Sequence, residues 1–222
     1  MKISYANKKV KVCFLTDPKN NWIKKDIKKF VSKLSKKKYL AKVTEDENKS
    51  TNHDVLFILG YTKIIKEKLL NKNKYNLVIH ESDLPKGKGF SPIQWQILDN
   101  KKNIKSKLID CSSKKVDSGD VYFTKEIKLD GTELYEEWRK KQSNVTMELI
   151  KKFLKIYPNI KKTKQFGKST FLKKRFPQDS KININKPIRS QFNLLRVCNN
   201  KRWPAFFLFK KKKYIIKIYK EK

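Results

Sequence analysis

The chain has 222 residues and a formal net charge of +35 at pH 7. This length accommodates one domain with a small extension and is sufficient for a buried core. No apolar run approaches the roughly 20 residues that a membrane span needs, and residues 1–10 lack the apolar centre of a signal peptide, so we expect a cytoplasmic protein with no membrane partner.

The positive charge by itself is typical of a nucleic-acid-binding protein. However, only five of the 56 basic residues are arginine, and the lysines are spread almost evenly along the chain. A nucleic-acid site concentrates its charge and interleaves aromatic residues with it. We therefore attribute the lysines to compositional drift on solvated surfaces and do not expect a nucleic-acid partner.

The first half of the chain alternates predicted strands and helices. Residues 10–16 (VKVCFLT) form a nearly continuous apolar run, which predicts a strand buried on both faces. The elements that follow are a helix over residues 23–34, a strand over 39–44, a strand over 54–59, a helix around 64–69 and a strand over 76–80. This order predicts an α/β fold, with a Rossmann-like, mostly parallel sheet and helices on both faces.

The predicted sheet also indicates where a ligand binds. In open α/β sheets ligands occupy the crevice beyond the carboxyl ends of the strands, which here includes His80. The turn after residue 16 contains no glycine, so the fingerprint of a dinucleotide-binding loop is absent.

The second half of the chain is less regular. The predicted elements are a helix that starts at Pro92 after a capping Ser91, strands over residues 105–111 and 121–129, a long helix over 132–157 and a β-hairpin of strands 205–209 and 214–219. We divide the chain into a catalytic domain (1–157) and an extension (158–222). The apolar hairpin is compatible with burial in the monomer and with a homodimer interface, and the sequence leaves both open.

Few residues are candidates for catalysis. The two histidines are His53, which precedes a strand, and His80, which ends one and leads into a loop with Gly87 and Gly89. These glycines allow the backbone to approach a ligand closely. The cysteines are isolated in apolar segments, which indicates buried thiols and no metal site.

Three motifs resemble those of the folate-dependent formyltransferases. HESDLPKGKGFSPIQWQIL (80–98) is similar to the family signature of a strand-end histidine, Leu-Pro, a basic glycine loop and Pro-x-x-Trp on a helix. VDSGDV (116–121) resembles the Asp-x-Gly turn that faces the histidine. FLKKRFPQDSKININ (171–185) resembles the Arg-x-Pro-x-Asp segment of the branch that acts on nucleotide-linked amino sugars. The core resembles that of methionyl-tRNA formyltransferases.

The resemblance implies 10-formyltetrahydrofolate as donor and the amine of a nucleotide-linked amino sugar, a surface-glycan precursor, as acceptor, with no metal. His80 is then the base or proton donor, and Asp117 orients it. The residues implied to bind folate are Lys86, Gly87, Gly89, Ser118, Gly119 and Asp120. The residues implied to bind the acceptor are Arg175, Arg196 and Trp203.

One position departs from the family pattern. The family has an asparagine two residues before the histidine, where its amide stabilises the oxyanion, and this chain has Val78. Either Gln94 or Asn76 replaces it, or the chain is inactive. Asn76 shares a strand face with Val78 and His80.

Two other functions remain open. Methionyl-tRNA formylation is the first, although about 65 residues after the core leave no room for the RNA-binding domain of those enzymes. An inactive module that binds a nucleotide sugar or RNA is the second.

Overall fold

The computed structural model describes residues 9–20, 22–111 and 115–221. Their elements, in chain order, are β1 (Val10–Thr16), α1 (Lys24–Lys33), β2 (Tyr39–Thr44), β3 (Val55–Leu59), α2 (Glu67–Leu70), β4 (Tyr75–His80), β5 (Lys88–Gly89), α3 (Pro92–Leu98), β6 (Asn103–Asp110), β7 (Val121–Lys128), α4 (Tyr135–Ile156), β8 (Phe171–Leu172), α5 (Ile188–Val197), β9 (Ala205–Phe209) and β10 (Lys212–Ile216). No helix among these is long and apolar enough to cross a membrane.

Six strands form one mixed sheet in the order β2-β1-β3-β4-β6-β7. The pairs β1–β2, β1–β3 and β3–β4 are parallel, and β4–β6 is antiparallel. The α/β class, the mostly parallel sheet and the terminal hairpin are therefore confirmed.

Side chains alternate between the two faces of a strand. A strand that is apolar at successive positions therefore contributes buried side chains to both faces of the sheet. On one face Phe14 stacks on Phe57, with ring centroids 5.3 Å apart, and these rings meet Phe30 of α1 and Phe153 of α4 edge to face. On the other face Cys13, Leu15, Leu56 and Ile58 pack against Ile65, Leu69 and Leu70, in and just before α2.

Three local predictions were wrong. The second helix has one turn, Glu67–Leu70, where a longer helix is predicted. Ser91 has φ of 54° and its hydroxyl does not cap α3. The second hairpin strand starts at Lys212, because Lys210 and Lys211 both have positive φ and close a two-residue turn.

The chain divides into two compact units. The first comprises residues 1–80, 107–124 and 146–165, and the second comprises 81–106, 125–145 and 166–222. The second unit has a core of α3, α5 and parts of β6, β7 and α4 around Trp138. These spatial units are a different division from functional domains, so the predicted boundary between residues 157 and 158 stays a prediction.

Candidate active site

His80 is the last residue of β4, at the carboxyl end of a parallel strand. Its partner across the antiparallel pair is Lys107 of β6. The imidazole is 5 % exposed. The preceding strand residues are apolar and fixed in the sheet, so this histidine is held in one position at the edge where α/β proteins bind ligands.

Asp117 lies next to the imidazole. Its Oδ2 is 3.5 Å from Nδ1 of His80, and the two side chains are 12 % and 7 % exposed. Asp117 has φ of 50°, a left-handed conformation that non-glycine residues rarely adopt. A carboxylate beside Nδ1 leaves Nε2 as the nitrogen for proton transfer.

The turn that carries Asp117 requires glycine at 119. A Cβ on Gly119 would lie 1.7 Å from the carbonyl oxygen of Asp110, so no other residue fits against the end of β6. Gln165 supports the same turn, because its Nε2 donates to the carbonyl oxygens of Asp117 and Gly119 at 2.8 Å each. Sequence reasoning missed Gln165, since a residue 48 positions away in an irregular segment carries no local signal.

Lys162 joins the two carboxylates at the base of this turn. Its Nζ lies 3.0 Å from Oδ2 of Asp110 and 3.3 Å from Oδ2 of Asp120. These hydrogen bonds outweigh desolvation and raise the pKa of Lys162. Asp120, predicted to bind folate, therefore has an internal ionic partner.

Cys111 adjoins the turn as a neutral thiol. Burial, followed by the charges of Asp117 and Asp110, raises its pKa to about 11. A thiol with this pKa is protonated at neutral pH and does not act as a nucleophile. The described residues contain no group of three His, Cys, Asp or Glu side chains placed to hold a metal ion.

Asn76 is engaged inside the first unit. Its Nδ2 donates to the Leu70 carbonyl at 3.0 Å, and its Oδ1 accepts from Nδ2 of Asn73 at 3.2 Å. Four residues of extended strand, about 13 Å, separate it from His80. The amide of Asn76 thus anchors the turn after α2, and its role in stabilising the oxyanion stays a prediction.

Gln94 differs from Asn76 in having an unused amide. It lies in the first turn of α3 and is 8 % exposed. Its carboxamide has no hydrogen-bond partner within residues 9–20, 22–111 and 115–221.

The loop after β4 requires glycine at positions 87 and 89 because of its backbone conformation and close packing. Gly87 and Gly89 have φ of 73° and 96°. A Cβ on Gly89 would lie 2.6 Å from the Leu172 carbonyl, and one on Gly87 would lie 3.0 Å from Cβ of Ser82. The glycines thus permit the pairing of β5 with β8, whereas Lys86 in the same loop is exposed.

Arg175, which is predicted to bind the acceptor, is turned inward. It is 3 % exposed, donates from Nη2 to the Asp179 carbonyl at 2.9 Å and lies 5.9 Å from the Trp95 ring. Burial lowers its pKa. The guanidinium helps to hold the segment around Asp179, and its role in binding the acceptor stays a prediction.

Arg196 is also internal. It is 2 % exposed and donates to the Glu133 carbonyl at 2.9 Å, to the Glu133 carboxylate at 3.0 Å and to Oδ1 of Asn193 at 2.9 Å. The guanidinium thus bonds to groups of the protein itself, and the role of Arg196 in binding the acceptor stays a prediction.

The remaining predicted residues are reachable. Trp203 is 36 % exposed, and Ser118 is half-buried, with its hydroxyl donating to the Val116 carbonyl. The role of Ser118 in binding folate and that of Trp203 in binding the acceptor stay predictions.

The structure is that of an α/β protein with a Rossmann-like sheet and a histidine–aspartate pair at the carboxyl edge of this sheet. Comparison with known proteins shows the family. Residues 4–154 match the formyl transferase family. The chain belongs to this family.

Known relatives span two kinds of acceptor. The methionyl-tRNA formyltransferase of Thermodesulfovibrio yellowstonii is 32% identical over 168 residues, covering 73% of this chain and 53% of the relative. The chain thus spans about half the length of that relative. A methionyl-tRNA formyltransferase structure from Clostridium thermocellum has a TM-score of 0.81 at 22% identity, covering 96% of this chain and 94% of that one. A sugar N-formyltransferase structure from a Shewanella species has a TM-score of 0.68 at 17% identity, covering 96% and 98%.

Proposed function

We propose that this chain is an N-formyltransferase that moves the formyl group of 10-formyltetrahydrofolate onto the amine of a nucleotide-linked amino sugar. The observation that carries the proposal is the 3.5 Å contact between Nδ1 of His80 and Oδ2 of Asp117 at the end of β4. Membership of the formyl transferase family supports the reaction class.

The pair suits the proton transfers of this reaction. The folate would supply an activated formyl group, held through the half-buried turn at Asp117 and Ser118. An uncharged amine would lose a proton to Nε2 of His80 as it attacks the formyl carbon. The same nitrogen would return the proton to N10 of the folate as the bond between N10 and the formyl carbon breaks and tetrahydrofolate leaves. Asp117 fixes the imidazole.

Negative charge develops on the formyl oxygen during the attack and needs a donor. Val78 cannot donate a hydrogen bond, and Asn76 is engaged elsewhere. Gln94, which lies in the motif over residues 80–98, stays the other candidate for this role.

The acceptor is the finer part of the proposal. It is supported by residues 171–185, which resemble the Arg-x-Pro-x-Asp segment of the branch that acts on nucleotide-linked amino sugars, and a Shewanella sugar N-formyltransferase is among the similar structures. Methionyl-tRNA is the second candidate, because the T. yellowstonii methionyl-tRNA formyltransferase is 32% identical and the structure of the Clostridium thermocellum enzyme is covered to 94%.

An acceptor panel tests the proposal. The protein is incubated with 10-formyltetrahydrofolate and CMP-, UDP- or dTDP-linked amino sugars, or with charged initiator tRNA, and the release of tetrahydrofolate is measured. We expect release with at least one amino sugar and none with tRNA. Release with tRNA alone would reverse the assignment of the acceptor.

A further inference from the structure

The segment from Phe171 to Phe176 in the second unit is firmly anchored. Its first two residues pair with β5. Nε1 of Trp95 donates to the Lys173 carbonyl at 2.8 Å, and the backbone N–H of Phe176 donates to Oδ2 of Asp179 at 2.7 Å. Side chains on this segment are therefore presented from a fixed backbone.

The inward position of Arg175 turns its neighbours outward. Lys174 is exposed, and Phe176 is 54 % exposed. Nζ of Lys174 lies 5.9 Å from the ring centroid of Phe90 and 6.0 Å from that of Phe176. Phe90 is itself 44 % exposed. Two exposed rings thus flank one ammonium group.

This surface has the charge that a phosphate requires. Lys174 is the cation of this surface, since Nζ of the neighbouring Lys173 lies 5.5 Å from the Trp95 ring, which Arg175 also approaches. The carboxylate of Asp179 accepts from the Phe176 N–H and is half-buried.

We propose that Phe90, Lys174 and Phe176 bind the nucleoside diphosphate part of the acceptor, an inference that rests on the proposed function. The base stacks on a phenylalanine ring, and Lys174 pairs with the diphosphate. Two rings near one ammonium group suit a single nucleotide, which has one base next to its phosphates. Proteins that bind single-stranded nucleic acids instead have several stacking rings along a positively charged groove.

The surface formed by Phe90, Lys174 and Phe176 is called the platform below. Calorimetry of the full chain with UDP, CDP or dTDP, without folate, directly tests whether it binds a nucleotide. We expect wild-type protein to bind at least one nucleotide, and Phe176→Ala and Lys174→Gln each to weaken binding roughly 5- to 100-fold, the range of one lost stacking contact. Phe209 and Lys210 supply the matched control, since Phe209 is 47 % exposed and Nζ of Lys210 lies 5.7 Å from its ring. Phe209→Ala and Lys210→Gln are expected to leave binding unchanged.

The inference is overturned if no nucleotide binds, if both pairs of variants weaken binding equally, or if an oligouridylate binds the platform and the mononucleotides do not. Its failure is distinguishable from failure of the proposed function. One outcome is that wild type and Phe176→Ala transfer the formyl group equally fast at subsaturating nucleotide sugar. This result would contradict nucleotide binding by the platform and would support the proposed function. The opposite outcome is nucleotide binding that depends on the platform, with no formyl transfer to any acceptor. This result would support the platform and contradict the proposed function.

Discussion

At the scale of single residues, the orientation of Asp117 depends on a glycine. Asp117 holds a left-handed backbone with φ of 50°, which costs on the order of 1 kcal/mol or more and persists only when its surroundings enforce it. Gln165 and the close fit of Gly119 against Asp110 enforce it here. The sequence motif indicated both the aspartate and the glycine, but the supporting glutamine was not predictable.

Gly119→Ala is expected to lower stability by about 2 kcal/mol or more, because its Cβ would overlap the Asp110 carbonyl. Gly131→Ala is the control: it has open space within 4 Å and only the strain of φ at 102°, a cost of about 1 kcal/mol. Urea denaturation measures both. Equal destabilisation of the two variants would show that the turn is not tightly fitted.

Substitutions of the two candidate amides, Gln94 and Asn76, are expected to have opposite effects on kcat and on stability. Gln94→Met keeps the size of the side chain and removes the donor, so kcat is expected to fall on the order of a hundredfold with little loss of stability. Asn76→Ala breaks two internal hydrogen bonds and is expected to cost about 2 kcal/mol of stability while kcat stays near normal. Steady-state kinetics and thermal denaturation of both variants decide the assignment, which fails if Asn76→Ala alone loses kcat.

At the scale of secondary-structure elements, Asp17 connects the loops that follow β1 and β3. Its carboxylate is 2 % exposed and accepts from the backbone N–H groups of Lys19, Asn20 and Thr62 and from the Thr62 hydroxyl. Burial alone would raise the pKa of Asp17, but these hydrogen bonds outweigh it and hold the pKa below its usual value.

Asp17→Asn is expected to cost about 2 kcal/mol at pH 7, because the amide has one acceptor oxygen in place of two. A depressed folded-state pKa contributes stability that is complete above the unfolded value, about 3.9, and is lost as pH falls through the folded value. The difference between wild type and variant should therefore narrow below about pH 4. Urea denaturation from pH 7 to pH 3 checks this, with the exposed Asp99→Asn as control, and a constant difference would contradict it.

At the scale of the whole molecule, the net charge of +35 acts against folding. Self-repulsion among unpaired lysines destabilises the compact state and is screened by salt, with a Debye length of about 10 Å at 0.1 M. The melting temperature is thus expected to rise between 10 mM and 150 mM NaCl. A flat or falling melting temperature would mean that ion pairs such as Lys162 with Asp110 dominate.

The sequence was sufficient for the sheet because its strands are continuous apolar runs, and for His80 and Asp117 because local motifs surround them. It was insufficient for Arg175 and Arg196, whose side chains could face inward or outward with equal sequence support. Their buried partners, the Asp179 carbonyl and Glu133, are decided by tertiary packing.

The role of the His80–Asp117 pair is tested most directly by kcat for formyl transfer in His80→Ala and Asp117→Asn. The other histidine, His53, provides the control as His53→Ala. We predict that kcat falls on the order of a hundredfold or more in both site variants, with near-normal melting temperatures, and stays close to wild type in the control. Near-normal kcat in both site variants would contradict the assignment.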